Sequence, residues 1–160
     1  MSALKRIMRA LCVVLFALFA VQASAQAPSY GSPVTLDVAK KITAGAVAEA
    51  KRNNWNVAIA IVDTHGFLVY YERLDDTQTA SGPIAIERAR TAAMFRRPTK
   101  SFADRVAKGD VAIMHLPGAT PFEGGLPIVS GGKIIGGIGV SGAAAHEDAQ
   151  VGKAGLDGMK

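Results

Sequence analysis

The chain has 160 residues, 49% of them hydrophobic, with 18 basic and 13 acidic residues giving a formal charge of +5. Three of the basic residues, Lys5, Arg6 and Arg9, fall in the first ten positions. The rest lacks the clustered basic footprint of a nucleic-acid binder, and a single cysteine, Cys12, excludes a disulfide framework or a Cys-based metal site.

In chain order, a basic start leads into the apolar run Ala10 to Val21 and then the small residues Ala23-Ser24-Ala25. That run is well short of the roughly 20 apolar residues a spanning helix needs. Residues 1–25 therefore read as a secretory signal peptide cleaved near Ala25, which predicts a periplasmic or secreted protein without stable membrane insertion. What remains suffices for one domain and is too short for two. Residues 26–34, opening with QAPSYGSP, read as a flexible linker, and residues 35–160 as the domain.

Thr35 reads as an N-cap, with Asp37 in the first turn and Leu36, Ala39, Ala46, Val47 and Ala50 on one face, predicting a helix from Leu36 to Arg52. Asn53-Asn54 ends it. Val57–Val62, a turn through Gly66, and Phe67–Glu72 form a hairpin. Ser81 then reads as the cap of a second helix that tolerates Pro83 in its first turn and continues from Ile84 to Phe95. Pro98 stops that helix, and Ser101 caps a shorter one ending near Gly109. Val111–Leu116 reads as a strand or an extended loop. Leu126–Ser130 and Lys133–Val140, joined by Gly131-Gly132, make a second hairpin. A last helix spans about Glu147 to Leu156. Hairpins between helices predict the α+β class, an antiparallel sheet flanked by helices in a single domain.

Gly137, Gly139 and Gly142 fit G-x-G-x-x-G, but a dinucleotide site needs a second strand that the following residues leave no room for. The glycines read instead as a strand that lets another backbone, a subunit or a flat ligand approach closely. Ser130 and Ser141 sit outside any G-x-S-x-G, and Asp75-Asp76 reads as a solvated loop. His65, His115 and His146 are never at i, i+4, so no helical zinc pair exists. Haem iron asks for only one or two protein ligands, because the porphyrin supplies four nitrogens. Arg96 and Arg97 end a helix, where they either complement its dipole or hold carboxylates such as haem propionates.

Four segments carry a resemblance: VAIAIVDTHGFLVYYERLDD, ERARTAAMFRRPTKSF, PGATPFEGGLPIVSGGKIIGGIGVSG and HEDAQVGKAGLD. Together, over about Leu36 to Leu156, the chain resembles the small haem-binding proteins of the GlcG/HbpS type, related to the C-terminal domain of the PduO adenosyltransferases. The resemblance implies a sheet of about five strands, homo-oligomers, and haem as cofactor. It places Thr99 in a Pro-Thr motif near the haem, with Arg97 beside it. Gly124, Gly125 and Pro127 match a backbone-shaping element, and Asp148 an acidic position opening the last helix. Arg88 stands where many members carry lysine. The expectation is an extracytoplasmic haem binder, not primarily an enzyme, that captures, stores, delivers or senses haem. Arg96 or Arg97 would meet the propionates, and Thr99, His115 or His65 the iron. The competing expectations are an oligomeric accessory domain without haem and a small enzyme acting on a carboxylate-bearing substrate.

Overall fold

The computed structural model describes residues 26–159, so the leader read from residues 1–25 lies outside it. Helix α1 (Leu36–Arg52) begins where its sequence signals begin. Thr35 is extended and its Oγ1 accepts from Val38 N at 3.4 Å, Asp37 lies in the first turn, and Lys51 and Arg52 lie in the last. Each charge is placed to complement the helix dipole.

Four strands follow the two hairpins: β1 (Ala58–Val62), β2 (Leu68–Arg73), β3 (Gly125–Ser130) and β4 (Lys133–Ser141). They pair antiparallel throughout in the order β2-β1-β4-β3. The sheet therefore has four strands among the described residues, not about five. The remaining candidate, Val111–Leu116, contains a 3-10 turn over Val111–His115. Its exit is committed elsewhere: Thr91 Oγ1 donates to Gly118 O at 3.1 Å and accepts from Thr120 N at 2.9 Å. Backbone groups spent on a helix side chain are lost to a sheet ladder.

Every residue of β1 is buried, and its period-two alternation sorts side chains by size. Ile59 and Ile61 join the larger core with Ile42 and Ala46 of α1, Ile138 and Val140 of β4, and Val151 of α4 (Ala145–Asp157). Ala58, Ala60 and Val62 face the other way, onto Ala85, Ala89 and Ala93 of α2 (Ser81–Phe95). That second layer is held close by glycines. A Cβ on Gly137 would fall against Ala89 O, one on Gly139 against Ala85 O, and one on Gly125 against Arg88 O. The G-x-G pattern thus serves helix-to-sheet approach, as its spacing predicts.

Three local readings change. Ser81 is the first residue of α2 and Ala80 its cap, without a side-chain bond. Helix α3 (Lys100–Ala107) starts before Ser101, whose Oγ donates back to Pro98 O at 2.8 Å. The segment read as a linker is docked. Gly31 N donates to Ile134 O at 2.8 Å, Ile134 N to Ser29 O at 2.9 Å, and Val34 N to Ile135 O at 2.7 Å. Tyr30 makes a parallel bridge with Ile134 there. Among the described residues no helix is long and apolar enough to cross a membrane.

Candidate functional site

The turn between β1 and β2 is built around one carboxylate. Asp63 Oδ1 accepts from His65 N at 2.8 Å and from Phe67 N at 2.9 Å, and Gly66 supplies the positive φ of 86°. An Asx turn of this kind holds its own backbone and lifts the intervening side chain outward. His65 is accordingly exposed, beside the buried Thr64. The ring Nδ1 lies 3.2 Å from Thr64 Oγ1. With the proton on Nδ1, the threonine hydroxyl accepts it, fixing the ring and leaving the Nε2 lone pair available for a ligand. Replacing Asp63 by alanine removes both turn acceptors. The expected cost is about 1–2 kcal/mol, measured as a lower urea midpoint.

The end of α2 approaches the same turn. Arg90 Nε donates to Gly66 O at 3.0 Å, and the missing Cβ of Gly66 leaves room for Met94, whose Sδ would otherwise stand 3.2 Å from it. The docked N-terminal segment closes the third side. Tyr30, Gly31, Pro33, Thr64, His65 and Met94 line a groove of about 480 Å³, within the usual range of small-molecule sites. Tyr30 OH donates to Met94 O at 2.7 Å. Arg96 ends α2 in the left-handed region (φ 56°, ψ 38°), and its guanidinium lies 5.4 Å over the Tyr30 ring and donates to Pro28 O at 3.2 Å.

The structure thus brings His65 into the groove, sets Arg96 outside its lining but against the ring of Tyr30, and puts the other candidates elsewhere. Arg97 is exposed, its Nε donating to Phe95 O at 3.1 Å and its guanidinium 5.9 Å over the Phe102 ring. Thr99 is fully buried; its Oγ1 accepts from Gly125 N at 2.9 Å, and its backbone N donates to Gly125 O at 3.0 Å. Contact between that hydroxyl and iron would require undoing the junction with β3. His115 is exposed on the 3-10 turn among the exposed Val111, Met114 and Leu116, and does not line the groove. His146 is exposed at the start of α4.

Asp148 does more than favour a helix N-terminus. It is buried, and Arg88 Nη1 donates to its Oδ2 at 2.7 Å and to Val140 O at 2.5 Å. Its Oδ1 accepts from Ala143 N at 3.0 Å. Burial pushes the carboxyl above its ordinary value, opposed by the Ala143 N–H and by Arg88. The pair joins α2 to α4 across the end of β4 and belongs to the scaffold.

Chemically, the groove offers one imidazole, a thioether, a phenol and apolar walls, and the Arg96 guanidinium lies over the phenol ring. Among the described residues no three His, Cys, Asp or Glu side chains gather to hold a free metal ion. One imidazole suits a metal that arrives with most of its coordination already filled. Sequence reasoning missed Tyr30 and Met94. The only signals were a lone aromatic inside QAPSYGSP and a methionine two residues ahead of the paired arginines.

The model of the family described as haem degrading protein HbpS-like matches residues 34–157. Protein GlcG of Escherichia coli strain K12 is 44% identical over 104 residues, which are 65% of this chain and 78% of GlcG. Among solved structures, the PduOC:heme complex superposes with a TM-score of 0.73 at 27% identity, covering 79% of this chain and 94% of PduOC. A double mutant of Streptomyces reticuli HbpS also gives 0.73, at 30% identity over 86% of this chain and 94% of that one.

Proposed function

We propose, from the premise that the chain belongs to the HbpS-like family of haem-degrading proteins, that it binds haem outside the cytoplasm. The observation that carries the binding is the groove at the end of α2, where His65 stands exposed with its Nδ1 held by Thr64. The haem complex of the structural neighbour PduOC supports it. In this reading Nε2 of His65 meets the iron, and Tyr30, Pro33 and Met94 cover the macrocycle. Arg96 carries the charge for a propionate; guanidinium groups suit carboxylates because they donate two parallel N–H bonds. When bound, the haem supplies a redox-active iron, and the groove supplies its orientation and its partial shielding from water. His65 is preferred to Thr99, whose hydroxyl Gly125 occupies, and to His115, which lies outside the groove.

The extracytoplasmic location is supported by the leader pattern of residues 1–25. Self-association is supported by the exposed side chains Val111, Met114 and Phe122.

The test is a hemin titration of the chain beginning at Gln26, followed at the Soret band. Wild-type protein is expected to saturate with a defined stoichiometry, and His65→Ala to bind about tenfold more weakly or worse, with a displaced band. Featureless, non-saturating absorbance from wild type would sink the haem reading. A second reading, favoured by the family's description as haem-degrading, is breakdown of the bound haem. Reductant and dioxygen added to the complex would then bleach the Soret band, whereas a carrier would keep it.

A further inference from the structure

Arg96 occupies the position after a helix where glycine is the usual residue, because a side chain with positive φ is strained there. Its strain is matched by contacts that come from one place, the docked segment Pro28–Gly31. Pro28 O accepts from its guanidinium and the Tyr30 ring lies beneath it. The same Tyr30 donates its hydroxyl to Met94 O at 2.7 Å, with Ala93 O at 3.3 Å. Both carbonyls lie in the last turn of α2, where Ala93 O also accepts from Arg96 N at 3.3 Å. The segment's own backbone is fixed to Ile134 on both sides of Tyr30. One aromatic side chain thus ties the N-terminal segment, the end of α2 and the Arg96 guanidinium together, while also lining the groove.

We propose that Tyr30 is a positioning residue for the haem site: it holds the Arg96 guanidinium over its ring, aimed for a propionate, and makes the N-terminal segment a wall of the groove. The proposal rests on the haem reading above. A guanidinium held over a ring, with one N–H on Pro28 O, keeps its further N–H groups for a carboxylate while losing rotamer freedom before the ligand arrives. Ligand binding in turn tightens the segment, since a group that bridges Arg96 and the groove closes both onto it.

The experiment compares hemin affinity of wild type, Tyr30→Ala, Tyr30→Phe, Arg96→Ala and the Tyr30→Ala/Arg96→Ala double variant, with circular dichroism to confirm the fold of each. Tyr30→Ala is expected to weaken binding about tenfold, while Tyr30→Phe, which keeps the ring, stays within about threefold of wild type. The double variant loses less than the sum of the two single losses, because part of the tyrosine's effect passes through the arginine. Hydrogen exchange at the Gly31 and Val34 amides slows when wild type binds hemin and not when Tyr30→Ala does. Undiminished affinity of Tyr30→Ala, additive losses in the double variant, or amide exchange indifferent to hemin would each overturn the positioning role while leaving haem binding in place. Failure of wild type to bind hemin would sink the haem reading itself, and this proposal with it.

Discussion

Gly139→Val is expected to destabilise the domain by about 3 kcal/mol or more, the upper end of what overpacking costs. Gly139 sits in the second half of β4, opposite Ala60 on β1 and Gly125 on β3. A side chain there would run into Ala85 O and stand 2.5 Å from Ala89 N and 3.0 Å from Ala85 C. These are backbone atoms of α2, so no rotamer change relieves the collision. The helix would have to lift as a body, opening the layer of Ala58, Ala60, Ala85 and Ala89, whose methyl groups are too short to refill the gap. Against the 5–15 kcal/mol that holds a typical domain together, such a loss is a large fraction. The urea midpoint reads it directly. Gly152→Ala in α4 is the contrasting case, because the nearest atom to its added Cβ is Leu126 Cδ1 at an ordinary 3.4 Å. There the change should stabilise by about 0.5–1 kcal/mol, through helix propensity alone. An equal loss at both positions would refute the close-approach account.

Asp148→Ala is expected to cost about 3–5 kcal/mol, the range for breaking a buried ion pair from one side. The cost comes from what stays behind. Arg88 is buried, its Nε already lacks a partner, and without the carboxylate only Val140 O would answer its Nη1. The Ala143 N–H would lose its acceptor as well. Arg88→Met combined with Asp148→Leu should recover most of the loss, since well-packed apolar residues replace buried pairs at little net cost. If the double variant is as unstable as Asp148→Ala, the penalty lies in the lost α4 contacts and not in the stranded guanidinium. Chemical denaturation of the three proteins decides between the two.

Elements with strong local signals were legible in the chain. The Thr35 cap, the two glycine turns and the alternating run of β1 each specify their structure within a few residues, and the resemblance placed them in one family. What escaped was non-local. The run VAIMHL reads as strand or extended loop until Thr91, on another helix, claims the backbone of Gly118 and Thr120. QAPSYGSP has the composition of a linker, and only the backbone of Ile134 and Ile135, about a hundred residues away, turns it into a wall. Arg88 inside an alanine-rich helix resembles a solvated charge, yet its partner lies 60 residues on. Among the residues lining the groove, the exposure of His65 was legible because a histidine in a glycine turn points outward. Tyr30 and Met94 were not, because nothing local aims them at it.

The glycine-lined contact between α2 and the sheet has a consequence at a distance from itself. Backbone laid almost directly on backbone leaves the helix no soft side chains on which to slide, so α2 acts as a gauge block. The height of the helix over the sheet, and with it the placement of its C-terminal end beside the β1–β2 turn, depends on Gly125, Gly137 and Gly139 having no side chain. Met94 and Arg96 ride on that end, and His65 on that turn. Tolerance to substitution and precision of the groove are therefore one quantity, and a glycine two turns of helix from any ligand is as much a part of the groove's calibration as the residues that line it.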